Sequence, residues 1–335
     1  MRRLNISLEA IAERKNVVLA FYKAAKGKRS RDNVRLFLQD FDRNINQLCD
    51  DILNAKLPYG NFRAFQIYDP KKRLIHAACF EDRIFHHAFI NIAGEALERR
   101  MQDSSYACRQ NKGVHKAAKA VQKNLQKYPY FVKIDIDGYF PSISHECLLS
   151  LLARCFKGTE ILDQLSWIVK CYEVRQGYGL PIGSLTSQYF ANYYLNALDC
   201  LLAEHPLVKA NVRYMDDVIW WCETRTIAKQ ILQEVREWLR LERKLTVKSS
   251  VQILASKQGV SYCGFRISQG TVRLSRRRKR RYQERRLYWE KQYNDGLITA
   301  LELQQAYAAV HSVTEATDSL SWRSENLRRH PSIGL

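Results

Sequence analysis

The stretch RYMDDVIWW, residues 213–221, places two adjacent carboxylates inside a run of apolar and aromatic residues. Neighbouring like charges repel each other, and burial among apolar side chains would raise the free-energy cost further. A strand, a tight turn and a second strand resolve this conflict, because Asp216 and Asp217 then project from the turn, where no ladder hydrogen bonds restrain them. The stretch therefore predicts a β-hairpin that carries an Asp pair at its tip.

A bound divalent cation would remove the repulsion between these carboxylates. Ligands that are all oxygen suit Mg²⁺, which also binds substrate phosphates. The stretch KIDIDGYF supplies a third carboxylate, Asp135, at the end of another predicted strand. Two metal ions roughly 3.5–4 Å apart, bridged by such carboxylates, support phosphoryl transfer. An isolated Asp pair is usually an ordinary exposed turn, but the flanking aromatic residues and the second strand-end Asp favour a metal site here.

The rest of the chain predicts an α+β fold that is mostly helical. Residues 62–76 alternate around a Pro and predict a hairpin with a basic tip, and residues 260–275 predict two short strands. Apolar residues at three- and four-residue steps predict helices in these segments: 1–57 with a basic turn at 26–31, 81–101, 113–128, 145–156, 160–172, 189–205, 225–244 and the tail from 276.

The charge of the chain points to an anionic partner. Its 335 residues have a formal net charge of +20, which favours nucleic acid, with an anionic membrane surface as the alternative. No apolar run is long enough to span a bilayer, so no membrane-embedded segment is expected. The nine cysteines include no CxxC pair, which argues against a zinc site and favours a reduced, cytoplasmic setting.

Taken in order, the motifs resemble the sequence blocks of reverse transcriptases. YMDD resembles palm motif C of that family, and DIDGYF resembles motif A. GLPIGSLTSQYFANYYL lies where motif B belongs, LERKLTVKSS resembles motif D, and YCGFRIS resembles the primer-grip hairpin. FQIYDPKKRLI, FEDRIFHHAF and SYACRQNKGVHKA resemble the blocks that precede motif A. An ordered series of blocks from about residue 60 to about residue 270 is far more specific than one four-letter motif.

This resemblance implies a right-hand polymerase with fingers, palm and thumb. The expected ranges are a helical N-terminal extension over 1–60, fingers over 61–130, a palm over 131–270 that includes part of the fingers, and a short, basic, helical thumb over 271–335. The implied activity is RNA-directed DNA polymerisation, in which dNTPs are joined on a template RNA and an RNA–DNA duplex is formed. The implied cofactor is Mg²⁺, two ions per active site, for which Mn²⁺ could substitute.

The sequence of motif B indicates which subgroup of reverse transcriptases the chain resembles. Most reverse transcriptases read Q-G-x-x-x-S-P there, whereas residues 182–188 read IGSLTSQ. This departure, together with DPKKRLI and DRIFHHA, is similar to the reverse transcriptases of diversity-generating retroelements. That subgroup implies a bacterial or phage-encoded enzyme that copies a template-repeat RNA with errors concentrated at template adenines during mutagenic retrohoming. It also implies a small helical accessory protein, itself an oligomer, as partner.

Two alternatives stay open beside this interpretation. Within the same class, the chain could be a retron-like or defence-associated reverse transcriptase, which would copy a self-priming structured RNA. From a different class, it could be a catalytically silent RNA-binding scaffold. The intact set Asp135, Asp216 and Asp217 favours an enzyme, because a scaffold needs none of these carboxylates.

The resemblance assigns roles to individual residues at the reacting centre. Asp135, Asp216 and Asp217 would hold the metal ions, and the backbone carbonyl of Ile136 would add a ligand. Phe140 lies five residues after Asp135, at the position of the steric gate that excludes a ribose 2′-hydroxyl. The alternative to a steric gate is that Phe140 is an aromatic residue of the core without a role in nucleotide selection.

Further residues would contact the incoming nucleotide. Ile182 stands where accurate relatives have Gln, so one hydrogen-bonding check on the nascent base pair would be lost. Gln188 ends the same motif. The cations expected on the triphosphate are Arg63, Lys72 and Arg73, with Lys71 as a further candidate; Arg73 matches the family best.

Three further expectations complete the set. The basic tail would follow the backbone of the template–primer duplex through Arg277, Arg278, Lys279, Arg281 and Arg285. Either Lys244 or Lys248 could protonate the pyrophosphate as a general acid, although a lysine in a basic protein is usually surface charge. His86 and His87 are adjacent on a predicted helix, do not face each other, and are expected to be packing and surface residues.

Overall fold

The computed structural model describes residues 3–68, 72–315 and 317–331. Lys71 and Pro70, at the tip of the first expected hairpin, therefore lie outside the described residues. The helices are α1 Leu8–Ala12, α2 Arg14–Ala25, α3 Asp32–Gln39, α4 Phe41–Leu53, α5 Phe80–Glu98, α6 Val114–Lys127, α7 Tyr139–Ser142, α8 His145–Ala153, α9 Thr159–Lys170, α10 Leu185–Tyr194, α11 Asn196–Glu204, α12 Arg225–Arg243, α13 Arg276–Asn294, α14 Ala300–Ser312 and α15 Leu320–Arg329. The strands are β1 Leu4–Asn5, β2 Phe62–Tyr68, β3 Lys72–Ala78, β4 Tyr130–Asp135, β5 Phe156–Lys157, β6 Ala210–Tyr214, β7 Asp217–Cys222, β8 Gln252–Ala255, β9 Val260–Tyr262, β10 Phe265–Ile267 and β11 Val272–Leu274.

The chain divides into two compact units, each assembled from three separate stretches of sequence. Unit 1 consists of Met1–Arg109, Ile136–Leu201 and Glu234–Lys248. Unit 2 consists of Gln110–Asp135, Leu202–Gln233 and Ser249–Leu335.

An aromatic core holds the helices of the N-terminal part of unit 1. Helix α2 packs on α5, and α1 packs on α4. The rings of Phe21 and Phe37 stack with centroids 5.3 Å apart, and the ring of Phe80 meets Phe37 edge-on at 5.4 Å. Within α2 the buried apolar residues Val17, Ala20, Phe21 and Ala24 recur at three- and four-residue steps, which is why this segment folds as a helix rather than a strand.

A buried carboxylate sets the start of the first hairpin of unit 1. Asp82, in the first turn of α5, is fully buried and accepts hydrogen bonds from the backbone amides of Tyr59 at 2.7 Å and Gly60 at 3.1 Å. Burial raises the pKa of Asp82, while those two amide donors act in the opposite direction. The bonds fix the loop that leads into β2, which pairs with β3 in an antiparallel register from Phe62 opposite Ala78.

The centre of unit 2 is an antiparallel sheet of four strands in the order β6-β7-β4-β8. Strand β7 is buried along nearly its whole length, and the side chains of Trp220 and Trp221 are completely enclosed. Neighbouring side chains of a strand point to opposite faces, so a continuously buried strand has both faces covered. Helix α6 contacts β6.

Two expectations about secondary structure are corrected. Residues 260–275 form three strands rather than two, in the order β11-β10-β9, because β11 finds a partner in β10 that local alternation does not reveal. The helix expected over 189–205 is two helices separated at Leu195. The guanidinium Nε of Arg243 donates to the carbonyl of Tyr194 at 3.1 Å, so this carbonyl is bound from outside the helix at the break.

Short strands also lie in ranges expected to be helical. Leu4 and Asn5 pair in parallel with Phe156 and Lys157, and β11 lies at the start of the range assigned to a helical thumb. Among the described residues, no helix is both long and apolar enough to cross a membrane.

Candidate active site

The hairpin expected at YMDD forms between β6 and β7. Tyr214 and Asp217 are register partners, so Met215 and Asp216 make up the connecting loop. Met215 has a φ of 58°, a left-handed conformation that L residues other than Gly adopt infrequently. The fully buried side chain of Arg213 donates from Nη1 to the carbonyl of Met215 at 3.0 Å, which helps to hold the turn in this conformation.

The first of the expected metal-binding carboxylates lies on the neighbouring strand. Asp135, the last residue of β4, is the register partner of Asp217, the first residue of β7. Asp216 precedes Asp217 in the turn. Directly opposed residues of antiparallel strands lie within about 5.5 Å of each other between Cα atoms, so the fold places these carboxylates at one end of the sheet.

The electrostatic setting of Asp217 is unfavourable for a negative charge. Its Oδ1 atom is buried and accepts no hydrogen bond from the described residues, although the ammonium of Lys133 lies 3.3 Å away. Burial raises the pKa of Asp217 to about 6, the nearby carboxylates of Asp135 and Asp216 act in the same direction, and Lys133 opposes them. A metal ion coordinated by this oxygen would offset the repulsion among the three carboxylates.

The chemistry of the carboxylate oxygens suits a metal ion, although their side chains do not surround a common point. Within the described ranges, no three side chains of His, Cys, Asp or Glu are grouped tightly enough to enclose a metal ion. The oxygen-only donors nonetheless match the preference of Mg²⁺ for carboxylates and water, and among the described residues the buried Oδ1 of Asp217 is held only by its ion pair with Lys133.

Tyr262 is a residue of this site that the sequence motifs did not reveal. Its ring is almost fully buried, and its hydroxyl donates to the backbone carbonyl of Asp217 at 2.9 Å. The ammonium of Lys133 lies 5.8 Å from the centre of the same ring. Tyr262 belongs to the stretch expected to be the primer grip, so this hairpin is fastened directly to the strand of Asp217.

Lys133 and Arg213 were missed as well, and their signals differ. Lys133 precedes Asp135 by two residues in the same strand, so alternation places the two side chains on one face. A lysine on the same face as a predicted metal-binding carboxylate could therefore have been recognised from the sequence. Arg213 in an apolar strand was a visible anomaly, because a buried Arg needs partners.

The residues that follow Asp135 along the chain belong to unit 1. Ile136 is fully buried and forms an antiparallel bridge with Val247, and the amide of Asp137 donates to the carbonyl of Thr246 at 2.8 Å. The segment expected to be motif D is therefore paired with the segment expected to be motif A.

Backbone hydrogen bonds also link three segments expected to surround the nucleotide. Phe140 is a half-buried residue, and its backbone carbonyl accepts a hydrogen bond from the amide of Leu180 at 3.0 Å. The carbonyl of Ile182, also half-buried, accepts from the amide of His76 in β3 at 3.2 Å. Unit 1 thus brings Phe140 and Ile182 onto segments that are tied to each other and to the hairpin.

Two further residues of motif B have defined contacts. Gln188 Oε1 lies 3.6 Å from the sulfur of Cys108, which donates to it. Gly183 has a φ of +116°, and a Cβ there would lie 3.2 Å from Cγ2 of Ile75. Gly183 therefore suits a tight approach of the motif B loop to β3.

The register of the hairpin separates the expected triphosphate cations. Arg63 lies opposite Ala77, and Arg73 lies opposite Ile67, so Arg63 and Arg73 share one face of the hairpin, about 13 Å apart along the strand. Lys72 lies on the opposite face, because adjacent residues of a strand alternate. Lys71 lies outside the described residues.

The basic residues of α13 fall into two groups. Arg277, Arg281 and Arg285 are exposed and recur every four residues, so they form one stripe on the helix. Arg278 instead donates to the carbonyl of Cys263 at 2.8 Å, and its guanidinium lies 4.1 Å from the ring centre of Phe265. The ammonium of Lys279 lies 5.1 Å from the ring centre of Trp322.

His86 packs inside unit 1, as its position on the helix suggested. It is buried, and its Nδ1 lies 3.1 Å from Oγ1 of Thr186. Burial lowers the pKa of His86 to about 3 and that of the half-buried His87 to about 4. Lys244 is exposed and Lys248 half-buried, and the choice between them as the general acid stays a prediction.

The sequence matches a family model along most of this region. The model described as "Reverse transcriptase (RNA-dependent DNA polymerase)" matches residues 67–267, which include both strands of the Asp triad. Among curated proteins, the group II intron-encoded protein LtrA of Lactococcus lactis subsp. cremoris is 27% identical over 135 residues, or 38% of this chain and 22% of LtrA. The putative COX1/OXI3 intron 1 protein of Saccharomyces cerevisiae is 21% identical over 215 residues, or 60% of this chain and 26% of that protein.

The fold resembles that of a solved structure despite low sequence identity. The structure of apo telomerase from Candida tropicalis aligns with a TM-score of 0.50 at 12% identity, covering 80% of this chain and 58% of that one. Both curated relatives are much longer than the matched region, since this chain spans about a quarter of their length.

Proposed function

The chain belongs to the reverse transcriptase family and has the right-hand polymerase fold, and on that premise we propose that it is an RNA-directed DNA polymerase. The observation that carries the proposal is the pairing of Asp135 with Asp217 at the end of the central sheet, next to Asp216. The reaction would join the 3′-hydroxyl of a primer to the α-phosphate of a dNTP on an RNA template.

Asp135, Asp216, Asp217 and the carbonyl of Ile136 would hold Mg²⁺, two ions per site, with Mn²⁺ as a substitute. When bound, such ions lower the pKa of the attacking hydroxyl and stabilise the charge on the departing pyrophosphate. Strands β4 and β7 hold the carboxylates in register, and Tyr262 fixes the backbone of Asp217. Rigid strands suit this task, because small displacements of reacting groups are costly in rate.

The nucleotide site would be built from unit 1. Phe140 would exclude the ribose 2′-hydroxyl by steric conflict, and its backbone bond to Leu180 supports a fixed position. Ile182 and Gln188 would border the nascent base pair. Arg73 would contact the triphosphate; Lys72 faces the other side of the hairpin and is the weaker candidate.

The product duplex would be held mainly by backbone contacts. The stripe Arg277, Arg281 and Arg285 on α13 suits an RNA–DNA hybrid, whose phosphates are read without regard to sequence. Arg278 and Lys279, which contact Phe265 and Trp322, would position the helix instead. In this assignment residues 1–60 are an N-terminal extension, 61–130 fingers, 131–270 palm and 271–335 thumb.

Within the family, we place the chain with the reverse transcriptases of diversity-generating retroelements. The support is the apolar Ile182 in motif B, where a hydrogen-bonding side chain would discriminate more strongly. The template would then be a template-repeat RNA, and the partner a small helical accessory protein. A bacterial or phage gene is implied by the same assignment.

Primer extension on a defined RNA template tests both levels of the proposal. We expect dNTP incorporation with Mg²⁺ that stops with EDTA, and sequenced products whose errors concentrate at template adenines. Faithful products would retain the polymerase and remove the retroelement subgroup. RNA binding without incorporation, even after addition of the candidate accessory protein and its cognate RNA, would support the scaffold instead.

A further inference from the structure

The N-terminus of helix α13 is fastened to the turn between β9 and β10. The amide of Ser275, the residue that caps α13, donates to the carbonyl of Gly264 at 3.2 Å. Three residues later, Arg278 donates from Nη2 to the carbonyl of Cys263 at 2.8 Å. Its guanidinium also lies 4.1 Å from the ring centre of the fully buried Phe265. The basic helix therefore contacts three consecutive residues of one turn.

A glycine in this turn allows the side chain of Arg278 to come close to the backbone. Gly264 has a φ of +81°, a conformation that Gly adopts without steric cost. A Cβ at this position would collide with Nε of Arg278 and would lie 3.2 Å from its Cδ. Because the two groups are in direct contact, the position of the turn depends on where the guanidinium of Arg278 lies.

The same turn begins next to the residue that is bonded to Asp217. Tyr262 is the last residue of β9, and its hydroxyl donates to the backbone carbonyl of Asp217 at 2.9 Å. Cys263, whose carbonyl accepts from Arg278, is the next residue along the chain. Two hydrogen bonds and the backbone between them thus connect α13 to the strand of Asp217, and all of these residues belong to unit 2.

These contacts distinguish Arg278 from the exposed arginines of the same helix. Arg277, Arg281 and Arg285 are exposed, whereas Arg278 is half-buried. The guanidinium of Arg278 is already engaged by a carbonyl and by the face of a ring. A phosphate contact would require the guanidinium to give up these partners, so Arg278 suits the interior of the unit better than the surface of a duplex.

We propose that Arg278 is a positioning residue of the catalytic centre. It holds the β9–β10 turn and, through Tyr262, the backbone of Asp217, and it binds no phosphate of the template–primer duplex. The catalytic consequence rests on the proposed polymerase function, whereas the coupling between Arg278 and Asp217 does not. The two competing roles for Arg278 are a phosphate contact and a purely structural residue of α13.

Steady-state primer extension and duplex binding by the full chain separate these roles. We expect Arg278→Gln to lower kcat by at least about tenfold and to leave KM for dNTP near its original value, because only the reacting geometry changes. An unchanged kcat in folded Arg278→Gln, or a fall in kcat/KM that comes from KM alone, would overturn the proposal.

Affinity for a labelled RNA–DNA duplex is measured by anisotropy in EDTA at several salt concentrations. Arg277→Gln, which removes an exposed charge one residue away, should reduce the slope of log affinity against log salt by about 1. Arg278→Gln should leave this slope unchanged. An equal reduction in both variants would make Arg278 a phosphate contact and overturn the proposal.

Gly264→Ala displaces the guanidinium of Arg278 without removing its charge. The matched control is Gly270→Ala, because a Cβ on Gly270 would meet nothing within 4 Å. We expect kcat to fall by at least about tenfold in Gly264→Ala and to stay unchanged in Gly270→Ala. Since strain at the positive φ of Gly264 also contributes, Gly264→Ala is repeated in an Arg278→Ala chain. The double variant should lose less than the product of the two separate losses, and a loss equal to that product would overturn the proposal.

Hydrogen exchange measures the coupling without any reaction. Mass spectrometry of the full chain follows the peptide that contains Asp217 and the rest of β7. We expect exchange there to be at least about tenfold faster in Arg278→Gln than in Arg277→Gln, because the turn that holds Asp217 opens more readily. Equal exchange in the two variants would overturn the proposal. Faster exchange in a chain that makes no DNA under any condition would instead retain the coupling and remove the polymerase function.

A variant that does not fold leaves the same comparison open. If Arg278→Gln is unfolded, as judged by circular dichroism, Gly264→Ala is compared with Gly270→Ala in the exchange measurement. Faster exchange of the Asp217 peptide in Gly264→Ala supports the coupling, and equal exchange contradicts it.

Discussion

The hydroxyl of Tyr262 donates a hydrogen bond to the backbone carbonyl of Asp217 at 2.9 Å. This bond joins the three-stranded sheet of unit 2 to the strand that presents the Asp pair. Since Tyr262 is almost fully buried, water is poorly placed to replace the lost hydroxyl. The position of Asp217 should therefore depend on a residue that contacts no substrate in the proposed reaction.

Tyr262→Phe should lower both stability and turnover. The lost hydrogen bond should reduce the free energy of unfolding by about 1 kcal/mol, and kcat should fall while KM for dNTP stays near its original value, because only the reacting geometry is loosened. Chemical denaturation and steady-state primer extension measure the two effects. Tyr288→Phe, at an exposed position, is the control, and equal kcat in both variants would show that the bond has no positioning role.

Phe140→Ala should admit ribonucleotides. Loss of the ring removes the steric conflict with the 2′-hydroxyl, so the ratio of kcat/KM for dNTP over rNTP should fall by at least about tenfold. Competition between dNTP and rNTP on one template gives this ratio directly. Tyr139→Phe is the control, because it changes the adjacent ring and leaves the ring of Phe140 in place, so the dNTP/rNTP ratio should stay unchanged. If Phe140→Ala also leaves this ratio unchanged, Phe140 is a residue of the core and not a steric gate.

Ile182→Gln should make copying more accurate at template adenines. A polar side chain restores a hydrogen-bonding check that an apolar one cannot provide. The measurement is deep sequencing of products made on one RNA template by the two chains. Ile182→Val, which preserves the apolar character, is the matched control, and an error spectrum that is identical in all three chains would rule out this role for Ile182.

The buried His86 should make the chain sensitive to acid. Its pKa is about 3 in the folded chain against an ordinary value of 6.5, so the unfolded chain binds more protons between these pH values. Stability is therefore present above pH 6.5 and is lost as the pH falls, by on the order of 2 kcal/mol between pH 7 and pH 5. Urea unfolding at both pH values should show a smaller difference for His86→Gln than for His205→Gln, and equal differences would refute the assignment.

Local periodicity accounts for much of the fold. The hairpins β2–β3 and β6–β7 follow from alternation and turn residues, and Asp135 falls at the end of β4 as expected. These signals are short in range, since a strand or helix shows its pattern within its own residues.

Features that depend on distant partners were not predictable in this way. The break at Leu195 accompanies the bond from Arg243 to the carbonyl of Tyr194, and β11 becomes a strand because β10 is beside it. The separation of Lys72 from Arg63 and Arg73 depends on the register across the hairpin. Tyr262 contacts Asp217 from 45 residues away, and no local pattern marks that contact.

The most direct test of the central claim compares two isosteric variants in Mg²⁺-dependent primer extension on RNA. Asp217→Asn removes one charge from the paired carboxylates, whereas Asp137→Asn removes one from an exposed residue only two positions after Asp135. We expect near-complete loss of DNA synthesis in Asp217→Asn and near-original synthesis in Asp137→Asn. Synthesis by a folded Asp217→Asn at the original rate would contradict the assignment of this hairpin as the catalytic centre.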